Sequence, residues 1–450
     1  MMTPEIAIIG GSAAGLTAAI NLKMRSPEKG LLVIRNVRNT VVPCGIPYIF
    51  GTMKAVEKNI IPDSMFEQMN IPILNQNVED IDTDSKTITL QNGEQVCYSK
   101  LILATGSKPL LPQMPGIHLK NVHAIRKDPD YLEQLFTAFR QARNIVVVGG
   151  GFIGVEVTEQ LARMDETPRQ LTIVEALPHC LMQAVEEEFC RDAESQLRNA
   201  GITIKTGSRV EALEGDDSVK AVRLANGDVI EADLVLIGLG ATPNIDLARQ
   251  IGLECNARDG ILVDEWMQTS GKDIFAAGDC ASKFSPLTKQ PSSVRLGSTA
   301  CTEGMIAASN LFSLQRTTAG AVGAFATVVG SICIGSVGFT SHAAKQQGIE
   351  ILTGAAAGPN RHPAHLPGGI PDMKAILHFR QEDGVLVGGH IRGTDATAEI
   401  VNILAVATQA GLTAEQLATM QYATHPLLTA SPSAYQIMMA AEQVVIQRGH

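Results

Sequence analysis

The chain has 450 residues, is 45% hydrophobic but only 4% aromatic, and carries a formal net charge of −10. That length predicts two to four domains, and an acidic balance without a basic cluster argues against a nucleic-acid partner. Eight cysteines with neither metal-type pairing nor secreted-domain spacing fit a reducing, cytoplasmic compartment.

The first element is a strand, "EIAIIGG", entered without a basic segment and cleavage site of the targeting kind. It opens a unit that begins "IAIIGGSAAG", with Gly10 and Gly15, and turns into a helix. A second unit opens the same way with "IVVVGGGFIG", carrying Gly149, Gly151 and Gly154. Each unit later holds a matching segment, Leu90 to Gly106 and Leu224 to Gly240. In both, an Asn-Gly pair (Asn92-Gly93, Asn226-Gly227) predicts a type I′ hairpin that feeds an apolar strand. The chain therefore reads as an internal duplication of a dinucleotide-binding fold. Glycines let the backbone approach a pyrophosphate, and the helix N-terminus presents free N–H groups and a positive dipole end.

The acidic residue expected about twenty positions on separates the units. "LTIVE" ends in Glu175, whose carboxylate suits a ribose 2′-hydroxyl and repels a 2′-phosphate, so NADH is expected over NADPH. "LLVIRN" instead places Arg35 there, either as part of a different ribose contact or as a solvated strand-end charge. Further on, Thr317 to Ala344 is a long uncharged stretch punctuated by Gly320, Gly323, Gly330, Gly335 and Gly338, and predicts buried strands separated by turns rather than a membrane span.

"ATGSKP" (Ala104–Pro109), "GGGFIGVE" (Gly149–Glu156), "GLGATPN" (Gly238–Asn244) and "DIFAAGDC" (Asp273–Cys280), in this order, resemble the FAD-dependent pyridine nucleotide–disulfide oxidoreductases. The resemblance spans essentially the whole chain. It implies an α/β architecture with two Rossmann-like domains, as in glutathione reductase, and a C-terminal α+β dimerisation domain. Residues 1–117 and 243–318 would form the FAD domain, 118–242 the inserted NADH domain, and 319–450 the interface domain of a homodimer. On the same ground, FAD would meet Gly10, Ser12, Ala13, Ala14 and Gly15, with Arg35 and Val78 beside them. It would also meet Ala104, Thr105, Gly106 and Arg126, and then Gly278, Asp279 and Thr299. NADH would meet Gly149, Gly151, Phe152, Ile153, Gly154, Glu156, Glu175 and Gly238. No metal is implied. The helix opening at "GSTACTEG" would point its N-terminus at the flavin.

The stretch "VVPCGIPY" places Cys44 where the family carries its redox cysteine. Its prolines restrict the backbone, its glycine is expected to leave room for substrate, and nearby helix N–H groups are expected to favour a thiolate. The Cys-x4-Cys partner positions are Asn39 and Ile49. The chain thus resembles the single-cysteine branch: coenzyme A–disulfide reductases, persulfide or polysulfide reductases, NADH oxidases and peroxidases. Cys97, Cys180, Cys190, Cys255, Cys280, Cys301 and Cys333 are assigned structural roles. Ala13 stands where oxidases and peroxidases of the branch carry a histidine. Tyr422 is the candidate for a coenzyme A-contacting tyrosine. His425, before Pro426, matches the acid–base His-Pro, but Ala430 replaces the orienting glutamate. His362 and His365 read as loop residues.

The resulting expectation is NADH-driven reduction of a disulfide, persulfide or polysulfide through Cys44, with oxygen reduction as the alternative. A flavin-bearing redox sensor or interaction protein is the non-catalytic alternative, against which the complete motifs for both cofactors argue.

Overall fold

Two parallel five-stranded sheets repeat one order in four of their strands, the outer strand coming last in the chain in the first sheet and first in the second. The first runs Ile274–Ala276, Lys100–Leu103, Ile6–Ile9, Leu31–Arg35, Ile73–Asn75. The second runs Val122–Ala124, Leu234–Ile237, Asn144–Val148, Gln170–Val174, Thr203–Lys205. The structure, a computed structural model, describes residues 2–164 and 168–449. The central strands are continuous apolar runs because both faces are covered, by helices on one side and an antiparallel meander on the other; Ile6–Ile9 and Leu234–Ile237 are buried throughout.

Each sheet is accompanied by a three-stranded antiparallel meander, Val78–Asp82 with Thr87–Leu90 and Gln95–Cys97, and Val210–Gly215 with Val219–Leu224 and Val229–Glu231. Their hairpins correct the expected type I′ turn. Only the glycine of each Asn-Gly pair has positive φ, 81° at Gly93 and 90° at Gly227. Gly93 N–H donates to Leu90 O and Leu90 N–H to Glu94 O; Gly227, Leu224 and Asp228 repeat the pattern. The loop is three residues long, a type I turn closed by a left-handed glycine. The asparagine stays right-handed because its side chain accepts from the N–H two residues on, at 3.0 Å in both hairpins.

Two short strands form a ribbon between the sheets: Ser107–Pro109 runs antiparallel to Ala241–Pro243. The chain leaves the first sheet along one and returns along the other.

The Thr317–Ala344 stretch forms strands Ala324–Val329 and Ile332–Gly338, as expected, and then enters the helix Ser341–Gln346. Among the described residues no helix is long and apolar enough to cross a membrane. These strands head a five-stranded antiparallel sheet continuing through Leu386–Gly393, Met373–Arg380 and Ile351–Gly358. Helices Thr397–Ala410 and Gln436–Arg448 pack against it through Val401, Leu404, Ala440 and Val444.

Candidate functional site

The glycine turns repeat in detail. Gly10 has φ 120° and Gly149 φ 108°, a region that favours glycine. A Cβ on Gly15 would strike the Gly10 carbonyl oxygen, and a Cβ on Gly154 would strike that of Gly149. Neither following helix has a side-chain cap: Ser12 and Gly151 are the N-cap residues, and no acidic residue sits in either first turn. The first-turn N–H groups are left for an anion. A Cβ on Gly151 would stand in open space, as it would on Gly106 and Gly240.

Glu175 ends its strand with the carboxylate against the second turn. Oε2 accepts from Gly150 N–H at 2.6 Å and Oε1 from Leu177 N–H at 2.8 Å. Arg35, in the matching place, is not a solvated charge. It is 2% exposed. Its guanidinium pairs with Asp63, donates to Asn75 Oδ1 at 2.7 Å and Thr40 Oγ1 at 3.0 Å, and reaches Arg38 O at 2.5 Å. Thr40 in turn donates to Gly11 O, and a Cβ on Gly11 would press on the Arg35 side chain. Arg35 therefore props the first glycine turn from behind.

Asp279 sits where several of these pieces meet. Its Oδ2 accepts from Ser107 Oγ at 2.7 Å and Lys127 Nζ at 3.0 Å. Burial alone would raise its pKa, but Lys127 and Ser107 hold it below the usual carboxylate range. Gly278, with φ 84°, brings this turn against Ala14. Behind it lies a buried ion pair, Lys283 Nζ to Glu303 Oε2 at 3.1 Å. Glu303 accepts from Gly278 N–H and Lys283 donates to Gly278 O and Ala281 O, so the pair grips both sides of the turn. Gly304 allows helix Gly297–Asn310 to lie on helix Ala13–Arg25 at Ala14. Thr299 is in the first turn of the former, Val78 opens a meander strand, and Arg126 stacks over Tyr131 at 4.8 Å.

The cysteine stretch folds into consecutive helical turns that widen along the chain, a 3₁₀ turn at Pro43–Gly45, an α turn at Ile46–Tyr48 and a π turn at Ile49–Met53. Pro43 and Pro47 occupy the starts of their turns, where no N–H is needed. Gly45 does not make room for a substrate; a Cβ there would strike Asn59 Oδ1. Asn59 Nδ2 donates to Val42 O at 2.9 Å, so the glycine serves the loop's own stitching. Downstream, Phe50 is buried edge-on against Phe136 and Phe139. That burial is worth roughly 2–3 kcal/mol, and it anchors the Cys44 loop to the second unit.

Of the eight cysteines, all free, Cys44 alone is exposed. Its Sγ stands 3.5 Å from where a Cβ on Gly297 would be, at the N-terminus of helix Gly297–Asn310. Its surroundings oppose each other. Partial burial first, then the Glu156 and Asp279 carboxylates, raise the thiol pKa, while Lys127 and the Gly297 N–H lower it; the balance is upward. The helix N–H acts in the expected direction but does not dominate.

Glu156 leaves its helix toward the C-terminal sheet, accepting from Thr327 Oγ1 at 2.7 Å. Burial raises its pKa, and Glu159 adds to the rise against the Thr327 hydrogen bond. Neighbouring Phe152 meets Phe325 edge-on at 4.6 Å. Tyr48 is pushed up to about 12 by burial, Glu156 and Glu159. Ser107, Lys127, Glu303 and Tyr48 were missed as site residues. Ser107 lies within "ATGSKP", Tyr48 within "VVPCGIPY" and Lys127 next to Arg126, whereas nothing local marks Glu303 and Lys283 as partners.

His425 lies in an exposed loop whose bonds are internal: its Nδ1 accepts from Leu427 N–H at 3.2 Å and its N–H donates to Thr429 Oγ1. His362 joins the same loop, with N–H to Pro426 O and Nδ1 to Thr429 O. Tyr422 stacks on Tyr435 at 4.5 Å and spends its hydroxyl on Pro432 O.

Residues 4–304 match the family described as pyridine nucleotide-disulphide oxidoreductase, and 324–434 its dimerisation domain. The chain belongs to this family. It is an NADH-dependent flavoprotein oxidoreductase, and the turns around Gly10 and Asp279, and around Gly149 and Glu175, fit FAD and NADH respectively in donor set and open space. An Enterococcus faecalis NADH oxidase is 29% identical, covering 94% of this chain and 95% of its own. A Pyrococcus horikoshii NAD(P)H coenzyme A polysulfide/persulfide reductase is 28% identical over 89% of each. The structure of an NAD-dependent persulfide reductase from A. fulgidus superposes with a TM-score of 0.91 at 26% identity, covering all of this chain and 84% of the other.

Proposed function

We propose that this oxidoreductase uses NADH to reduce a persulfide, polysulfide or disulfide, with Cys44 as its sulfur nucleophile. The observation that carries the reading is the position of the one exposed thiol, beside the Gly297 N–H and the Lys127–Asp279 pair.

FAD, when bound, supplies the two-electron relay between NADH and sulfur. The Cys44 thiolate attacks the sulfur–sulfur bond of the acceptor, forming a new S–S bond and expelling one sulfur as thiolate. Two electrons originating in NADH then cleave that bond, returning Cys44 to thiolate and releasing the second sulfur as thiol or sulfide. Gly297 N–H and Lys127 favour the charged sulfur. In a homodimer built through residues 324–434, His425 is the acid–base candidate that one protomer lends to the other; its Nδ1 is occupied, which leaves Nε2 for the proton.

Oxygen reduction is the second reading, supported by the name of the Enterococcus relative. Ala13 puts no acid–base group in the first turn, which favours sulfur.

The test is Cys44→Ser in stopped flow. NADH should still bleach the flavin, while re-oxidation by coenzyme A persulfide, polysulfide or disulfide should stall. Wild-type turnover of sulfur acceptors by the variant would refute the assignment.

A further inference from the structure

A second constellation lies away from the cysteine, where the C-terminal sheet meets the helix Glu187–Asn199. Glu186 precedes that helix, His378 lies on strand Met373–Arg380 and His390 on strand Leu386–Gly393. Both histidines are buried, at 1% and 0% exposure, and the Glu186 side chain is 14% exposed. Their metal-type donor atoms all lie within 4.8 Å of one another.

The orientation is specific. His390 Nδ1 is bonded to Ser336 Oγ and His378 Nδ1 to Thr353 Oγ1, each at 2.9 Å. Both Nε2 atoms are thereby turned toward the same carboxylate oxygen, Glu186 Oε1, at 3.1 Å from His378 and 3.9 Å from His390. Nitrogen and oxygen ligands about 2.0–2.2 Å from a tetrahedral Zn²⁺ stand roughly 3.3 Å apart. Of the three separations, His378–Glu186 already matches and His390–Glu186 closes by a sub-ångström shift of His390 from Phe339 O, to which Nε2 now bonds at 3.1 Å, while the two Nε2 atoms start within 4.8 Å of each other. Hydroxyl partners on the far nitrogens are the outer-shell arrangement that orients metal-bound imidazoles. A buried carboxylate calls for a compensating cation, and among the described residues its ion-pair partners are these two imidazoles. Ser341 fixes the carboxylate from the other side, with N–H to Oε1 and Oγ to Oε2 at 2.8 Å.

We propose that Glu186, His378 and His390 form a site for a divalent transition cation of the zinc class. The metal would cross-link the helix behind the NADH turn to the C-terminal sheet, adding a coordinate bond set to the Lys374–Glu188 and Arg392–Asp192 pairs of the same interface. The partly exposed Glu186 edge supplies the entry path and the fourth coordination position.

The test uses chelator-treated holoprotein titrated with Zn²⁺. One equivalent per chain should bind, the thermal midpoint should rise, and the zinc X-ray absorption edge should show only nitrogen and oxygen neighbours. His390→Gln and Glu186→Gln, which keep a hydrogen-bonding amide in place, should each weaken binding roughly a hundredfold or more and abolish the thermal shift. Unchanged flavin content would show that they fold. A sulfur shell would mean cysteine capture. That result, equal binding by the variants, or no binding by wild type, would leave the cluster a hydrogen-bond network only and overturn the proposal.

Discussion

Cys44 Sγ and the backbone of Gly297 are neighbours, 3.5 Å separating the sulfur from the position of a Cβ on that glycine. Gly297 is the first residue of its helix, and Leu296 before it is extended, with φ −130° and ψ 144°. Proline is tolerated at that position and after that backbone. Gly297→Pro should therefore fold while deleting the N–H that lowers the thiol pKa. Losing that hydrogen bond should move the thiol pKa further upward, because the thiolate loses a donor. The pH dependence of Cys44 alkylation measures it, and an unchanged profile would mean that this N–H does not act on the sulfur.

Glu175 offers a test of coenzyme choice. Both carboxylate oxygens are fixed by backbone N–H groups, Gly150 of the second turn and Leu177 just after the strand, so the charge cannot swing away from a 2′-phosphate. Glu175→Gln should raise kcat/KM for NADPH at least about tenfold relative to NADH, since removing a like-charge contact is worth more than 1.4 kcal/mol. An unmoved ratio would place the ribose elsewhere.

Arg35 should behave as a structural residue. Arg35→Met leaves Asp63, Asn75 and Thr40 without their partner, a loss of roughly 2–4 kcal/mol. Urea denaturation of the holoprotein should show that loss, with flavin affinity falling no further than stability does. Lost flavin at unchanged stability would make Arg35 a direct cofactor contact.

Glu303 gives a pH signature. Burial, against the pull of Lys283, raises its pKa from 4.5 to about 7. The folded protein then holds a proton that the unfolded chain has released. The stability contributed by that proton is complete below about pH 4.5 and lost as pH rises through about 7. Its ceiling is on the order of 3 kcal/mol. Glu303→Gln keeps an acceptor for Gly278 N–H and should flatten this slope between pH 5 and 8. Parallel wild-type and variant curves, from denaturation midpoints against pH, would mean that Glu303 does not titrate there.

The duplication was legible because glycine turns impose themselves on the backbone: Gly10 and Gly15, or Gly149 and Gly154, have no alternative at those contacts. The cysteine's prominence was legible for the same reason, through two prolines. What escaped depends on partners far away in the chain. Arg35 reads as a ribose contact or a surface charge until Asp63 and Asn75 fold over it. Gly45 reads as an opening until Asn59 arrives beside it. The Asn-Gly hairpins were misread because asparagine's own side chain satisfies a turn that leaves it right-handed.

The ribbon pairing Ser107–Pro109 with Ala241–Pro243 has a consequence for synthesis. The chain departs and returns side by side, so for the first sheet everything between is equivalent to one long hairpin loop, and closing it is entropically mild. The outer strand of that sheet, Ile274–Ala276, is made only after the whole second sheet. Until then Leu101, Ile102 and Leu103, fully buried in the finished protein, line an unpaired edge of the kind that invites aggregation. A nascent chain stalled between the two sheets carries that sticky edge, and the edge is covered only once a strand encoded far along the message has been made.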